Sequence, residues 1–160
     1  MTEERTLVLI KPDGLVKSLT GNIITTLSET KLKIVGAKVV KVSREFAEKH
    51  YSNLKKELTE KFGEEKGKEV YENVLAHMQG KFHTDRVLAL VYKGEDAVRK
   101  VKELAGITNP EKANPLSIRG KYGRINSETK VFENAMHCSD SVENAKREIE
   151  LWFKKEEIVE

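Results

Sequence analysis

Thr6-Leu7-Val8-Leu9-Ile10-Lys11-Pro12-Asp13-Gly14 carries the first decision about the fold of this 160-residue chain. The aliphatic run Leu7 to Ile10 reads as a buried strand, and Lys11-Pro12-Asp13-Gly14 reads as the turn that ends it, with proline and glycine serving the backbone. Outward from there, Ile23, Ile24 and Leu27 predict a helix over Asn22 to Thr30, and the Val- and Ile-rich Lys33 to Val42 predicts a second strand. Two helical stretches follow. Arg44 to Leu58 carries Phe46, Tyr51 and Leu54 behind a Ser43 cap, and Glu64 to Met78 carries Val70, Val74, Leu75 and Met78. Arg86 to Tyr92 is a third strand, and Glu95 to Ala105 is a helix closed by Gly106. From Gly106 to about Lys130 no periodicity holds, which predicts a long irregular segment of the kind that is functional in compact domains. Strands and helices interleaved in this order predict one α+β domain spanning residues 1–160.

Composition narrows the function. Lys and Arg number 29 against 26 Asp and Glu, interleaved along the chain, so the net charge of +3 describes a soluble surface with a mild preference for anions. That excess is too small to argue for nucleic acid. The aliphatic run near the N-terminus follows Glu3 and Glu4, so the reading is neither a signal peptide nor a membrane span, and the expected location is the cytoplasm. The lone Cys138 excludes an internal disulfide, and no second cysteine exists for a zinc site of the thiolate type. His83 and Asp85, in Gly-Lys-Phe-His-Thr-Asp, read as a solvated pair.

The chemistry concentrates in Asn134-Ala135-Met136-His137-Cys138-Ser139-Asp140-Ser141, read as a tight polar loop ahead of an amphipathic helix. Val142, Ala145, Ile149, Trp152 and Phe153 recur at helical spacing, with Asp140 and Glu143 as the capping pair. Glu148 lies on the flank of that stripe. From there it can reach back to one imidazole nitrogen of His137, directly or through neighbouring hydroxyls, and leave the other nitrogen free to attack. No Gly-x-x-x-x-Gly-Lys-Ser/Thr motif occurs, so any nucleotide phosphates must be held mainly by side chains.

Asn-x-x-His-x-Ser-Asp, followed by Glu148 and Leu151-Trp152-Phe153, resembles the active-site signature of the nucleoside diphosphate kinases. The resemblance extends to Thr6 through Gly14, to Gly106-Ile107-Thr108-Asn109-Pro110 and to Ile118-Arg119-Gly120, so it orders most of the chain. It implies a ferredoxin-like antiparallel sheet covered by helices. It implies ping-pong transfer of the γ-phosphoryl group of ATP to a nucleoside diphosphate through phosphorylated His137, with Glu148 and Ser139 orienting the ring. It also implies Lys11 and Tyr51 near the transferred phosphate, Thr108 and Arg119 on the phosphates, and Asn134 with Lys11 on the ribose hydroxyl. Taken alone, Tyr51 is a half-buried helix aromatic and Arg119 a surface cation. Mg2+ is the implied cofactor, bridging phosphate oxygens and taking most of its ligands from nucleotide and water. Nucleoside di- and triphosphates are the implied partners, in a homo-oligomer, commonly a hexamer or tetramer.

The chain departs from that pattern at several places. Glu69-Val70-Tyr71 matches the usual Pro-Phe-Phe, so Val70 takes the position of the aromatic that covers the base, with Val74 opposite and Tyr71 or Phe62 as substitutes. A valine offers no ring to stack on, which predicts weaker nucleotide binding. Lys102 falls where a phosphate-binding arginine is usual, keeping the charge and losing the planar fork. Cys138 replaces a glycine, Pro115-Leu116-Ser117 replaces Pro-Gly-Thr, and extra residues lie around 55–69, 80–85 and 126–130. These departures leave room for a catalytically weak relative that acts as a regulatory subunit or binds nucleotides or RNA. Against an RNA-binding sheet, Leu7 to Ile10 and Val87 to Tyr92 are mainly aliphatic and carry no aromatic-rich Lys/Arg-Gly-Phe/Tyr signature.

Overall fold

The computed structural model describes residues 2–160. Strands β1 (Glu3–Ile10), β2 (Lys33–Val40), β3 (Val87–Glu95) and a later β6 (Met136–Cys138) form one sheet in the order β2-β3-β1-β6, with every neighbour antiparallel. This is the ferredoxin-like order that the resemblance implied. Helices α1 (Pro12–Val16), α2 (Thr20–Ser28), α3 (Arg44–His50), α4 (Leu54–Phe62), α5 (Glu64–Met78), α6 (Ala97–Ala105), α7 (Ile118–Tyr122) and α8 (Val142–Trp152) complete it, with a small hairpin of β4 (Arg124–Ile125) and β5 (Phe132–Glu133).

The first strand organises both cores. Leu7 and Leu9 pack with Ala47 of α3, Leu75 of α5 and Trp152 of α8, whereas Val8 and Ile10 pack with Leu27 of α2, Val101 of α6 and Ile118 of α7. Side chains alternate across a strand, so an aliphatic run without polar interruption is what a sheet covered on both faces requires. All four side chains are fully buried, each stabilising the fold by about 1.5–3 kcal/mol.

Several expectations change in the folded chain. Arg44 to Leu58 is two helices separated by a turn over residues 51–53, and Leu54 and Leu58 still pack against the core that Ala47 enters. The helix α4 then turns at Gly63 and runs back against α5. Gly67 sits where the two helices touch, since a Cβ there would lie 2.7 Å from the Leu58 carbonyl oxygen. Lys11-Pro12-Asp13-Gly14 is the beginning of α1, with Pro12 in its first turn, and Asp13 accepts a hydrogen bond from the Ala135 N–H at 2.8 Å. The segment after Gly106 contains α7 and β4, of five and two residues, too short to leave a periodic signal. His137 sits on the edge strand β6 rather than in a loop, and Ser141, not Asp140, caps α8 by accepting the Asn144 N–H at 3.1 Å.

Candidate active site

The His137 position follows from strand register. His137 pairs with Leu9 across β1 and β6, so its side chain shares the face that α3, α5 and α8 cover, while Met136 and Cys138 enter the opposite core. On that covered face stands Glu148, on the second turn of α8. Its Oε2 lies 2.7 Å from His137 Nε2. Burial pushes the Glu148 carboxyl upward, but its hydrogen bond with His137 leads the interactions that more than offset this and hold the carboxyl below its usual range. An ionised Glu148 accepts, so Nε2 carries the proton and Nδ1 keeps its lone pair.

His50 supports this pair and was not singled out from the sequence. Its ring stands edge-on to His137, with centroids 4.6 Å apart, and its Nδ1 accepts the Trp152 indole N–H at 3.0 Å. Burial lowers its pKa to about 3, so it packs as a neutral ring. The only hint in the sequence was its adjacency to Tyr51. Ser139 is fully buried, accepts the Leu7 N–H at 3.2 Å and makes no direct bond to the imidazole.

Lys11 ends β1 beside this group. Its ammonium donates to the Asn134 Oδ1 at 2.9 Å and to the Phe132 carbonyl at 2.8 Å, and burial depresses its pKa to about 8. Asn134 in turn donates to the Thr108 carbonyl at 2.8 Å, which ties β1, the loop after α6 and the strand region around β6 into one network. Arg119, buried on α7, spends Nε on the Met136 carbonyl at 3.2 Å and Nη1 on the Gly106 carbonyl at 2.9 Å. Lys102, exposed on α6, reaches the Asp140 carbonyl at 3.0 Å.

A cavity of about 850 Å³ joins these side chains. Lys11, Tyr51, Val70, Lys102, Thr108, Arg119, Asn134, His137 and Glu148 all line it, whereas Ser139 stands behind the wall. Its size suits a nucleotide-sized ligand. Tyr51 closes α3 and stacks edge-on against His50, and burial pushes its phenol upward, so the hydroxyl keeps its proton. Tyr71 belongs to the core beneath α5 and cannot serve the cavity, whereas Phe62 at the end of α4 lines it. A second ring, Phe132, was missed because nothing in its neighbourhood of the sequence marks it. The Lys61 ammonium lies 5.1 Å from the Phe62 ring centre and 5.6 Å from that of Phe132. His83 and Asp85 do not act as a pair: Asp85 is exposed beside Lys41 at 3.3 Å, as expected of a solvated carboxylate, whereas His83 turns inward to Glu133 at 3.1 Å.

Comparison with known proteins accounts for this arrangement. The family model described as nucleoside diphosphate kinase matches residues 4–158. The chain belongs to the nucleoside diphosphate kinase family. A relative named nucleoside diphosphate kinase from Pyrococcus furiosus is 42% identical over 157 residues, covering 98% of this chain and 87% of the relative. Among solved structures, an NDP kinase from Pyrobaculum aerophilum superposes with a TM-score of 0.85 at 32% identity, covering 99% of this chain and all of that one. A transition-state mimic of the Borrelia burgdorferi nucleoside-diphosphate kinase, with vanadate and ADP bound, superposes with a TM-score of 0.82 at 29% identity, covering 99% of this chain and 91% of that one. As a nucleoside diphosphate kinase family member the chain is a phosphotransferase. It moves the γ-phosphoryl group of a nucleoside triphosphate to a nucleoside diphosphate by a ping-pong route through a phosphohistidine. Family enzymes act on nucleotides, generally with a divalent metal. The reading as a weak regulatory or RNA-binding relative gives way to the enzyme.

Proposed function

We propose that His137 Nδ1 is the atom that carries the phosphoryl group. The observation behind this reading is the 2.7 Å contact of Nε2 with Glu148, which holds one tautomer and leaves the other nitrogen as nucleophile. Nδ1 attacks the γ-phosphorus of ATP, the bond to the β–γ bridging oxygen breaks, and ADP leaves with that electron pair. A different nucleoside diphosphate then enters, its terminal phosphate oxygen attacks the phosphohistidine, and the N–P bond returns its electrons to Nδ1. Glu148 stabilises the positive ring in between by accepting from Nε2–H throughout.

Lys11 and the Tyr51 hydroxyl donate to the transferred group, and Thr108, Arg119 and Lys102 hold the other phosphates. Two of Arg119's nitrogens are spent on carbonyls, which fixes the side chain at the cavity wall and leaves Nη2 as its donor for phosphate at little further cost in side-chain entropy. Asn134 and Lys11 together receive the ribose hydroxyl. Such preorganised donors reduce the barrier because they need not reorient when charge develops on the equatorial oxygens. At the mouth, Val70 and Val74 give apolar contact while Phe62 and Phe132 supply the rings that Val70 lacks. A base entering there takes the place of the Lys61 ammonium beside the two rings.

Magnesium is our choice of divalent metal. Among the described residues, the group in the cavity able to hold an ion is His50, His137 and Glu148, two of them nitrogen donors. Mg2+ prefers six oxygens, so the side chains fit an ion that arrives on the phosphates with its own waters. Bound there, it would supply positive charge against the β- and γ-phosphates that Lys11, Arg119 and Lys102 face. We also place the chain in the cytoplasm as one domain over residues 1–160 that assembles as a hexamer or tetramer. Supporting this, no helix among the described residues is long and apolar enough to cross a membrane. Edge strand β2 exposes Ile34 and Val39, and Leu116 ahead of α7 is 89% exposed, apolar surface that subunit contacts would cover.

Intact-mass analysis tests the central step. Mixed with Mg-ATP, the protein gains one acid-labile phosphoryl group, loses it to a second nucleoside diphosphate, and gains none as His137→Ala. Full labelling of His137→Ala would move the carrier elsewhere.

A further inference from the structure

Behind the Lys11 network the fold gathers a second set of ligand-type side chains that phosphoryl transfer does not use. His77 in the last turn of α5, His83 in the loop that follows it and Glu133 on β5 each offer one ligand atom, and the three atoms lie within 4.8 Å of one another. His77 and His83 flank one short turn, and Glu133, 50 residues beyond His83, joins them only in the folded chain. His83 Nε2 stands 3.1 Å from Glu133 Oε2, close to the edge of about 3.3 Å that a tetrahedron with zinc-like bond lengths requires.

The surroundings are those of a built site. Glu133 is fully buried, and Arg124 at 3.0 Å and Asn126 at 3.0 Å fix its two oxygens. His77 is 1% exposed and its Nε2 lies 3.1 Å from Asp13 Oδ1, while its Nδ1 is buried with no hydrogen-bond partner. A buried ring nitrogen left bare is unfavourable in an apolar interior. A carboxylate behind one nitrogen is also the arrangement that fixes the tautomer of a ligating histidine. The loop bearing His83 is held tightly as well. Gly80 has a φ of +83° and a Cβ there would lie 2.2 Å from the Asp85 Cα, so the loop closes on itself and presents His83 to Glu133.

We propose that His77, His83 and Glu133 form a binding site for a late first-row divalent cation, with Zn2+ the best match. Two imidazoles and one carboxylate select such an ion over magnesium, and water completes the tetrahedron. Asp13 orients His77 from behind without touching the ion. The bound ion ties the end of α5, the 80–85 loop and β5 together beside Asn134, so its first effect is on stability. The site does not depend on the roles proposed for the nucleotide cavity.

The test is a titration of chelator-treated protein with Zn2+ alone, following stoichiometry by competition with a chromogenic chelator and Tm by calorimetry. Wild type, His83→Gln and His137→Asn are compared. The His83 side chain is 21% exposed, so His83→Gln keeps the fold, which an unchanged Tm in EDTA verifies. We expect one Zn2+ per chain and a raised Tm in wild type and in His137→Asn. In His83→Gln, we expect affinity weakened at least ten-fold and the Tm shift lost. Zinc K-edge absorption of the wild type should report nitrogen and oxygen ligands and no sulfur. Equal zinc binding by His83→Gln overturns the proposal. So does its loss in His137→Asn, which would assign the ion to His50, His137 and Glu148.

Discussion

At the floor of the cavity two hydrogen-bonded pairs, His137 with Glu148 at 2.7 Å and Lys11 with Asn134 at 2.9 Å, stand side by side, whereas at its mouth Lys61, Phe62, Lys102 and Thr108 are exposed. The floor is assembled at β1 and β6 of the central sheet and on α8, which packs against it; the mouth is assembled from α4, the end of α6 and the loop beyond it. The floor meets the reacting phosphate, where an error of an ångström is costly, and there Lys11 and Asn134 are each held by two hydrogen bonds and His137 by one to Glu148. The mouth meets the part of the substrate that differs between nucleotides, and it offers rings and flexible cations that adapt. Tight geometry is spent where charge develops, and tolerance is left where the base lies.

The largest test of this contrast is at the floor. His137→Ala should abolish the phosphoenzyme and reduce kcat to background in a coupled assay, because no other nucleophile replaces the ring. Next, Glu148→Gln should lower kcat by on the order of 10²-fold with little change in KM, since it removes charge that matters only once the ring is phosphorylated. A loss confined to KM would place Glu148 in ground-state binding instead.

The buried lysine sets a pH dependence. Its pKa is depressed to about 8, so in the free enzyme the cation is present below that pH and is lost as pH rises through it. The pH profile of kcat/KM should therefore fall on its alkaline side near pH 8, and Lys11→Arg, which stays charged, should remove that fall while lowering the plateau. A profile flat to pH 10 would show that Lys11 is not the titrating group.

At the mouth the effects shrink and move to KM. Phe132→Ala and Phe62→Ala should each raise KM for every nucleoside diphosphate by about 5- to 150-fold, the range of one lost base–aromatic contact, and leave single-turnover chemistry nearly unchanged. Loss of kcat instead would merge mouth and floor into one unit. Smallest is Lys102→Arg, which should tighten nucleotide binding a few-fold by restoring a planar fork where Lys102 gives a point charge.

The same two regions differ in how far they could be read in advance. Leu7 to Ile10, the Glu64–Met78 helix and the stripe from Val142 to Phe153 announced themselves because burial imposes periodicity on any element long enough to repeat it. The helices α1 and α7 and strand β6 did not, since three to five residues are shorter than one useful period. Val70 and Lys102 were visible as departures, and both line the cavity. His50 and Phe132 were not visible, because each acquires its role only from a residue far along the chain.

By itself, the sequence determined the α+β order of elements, the family, and the histidine with a carboxylate eleven residues behind it. Those properties are local: hydrophobic period, turn chemistry and the pitch of one helix carry them. Tertiary structure alone decided which nitrogen of His137 is free, that Lys11 is buried beside Asn134, that Phe62 and Phe132 stand at one mouth, and that His77, His83 and Glu133 converge. Each of these depends on strand register and helix docking, which bring together residues between 6 and 123 positions apart through contacts that no local pattern encodes.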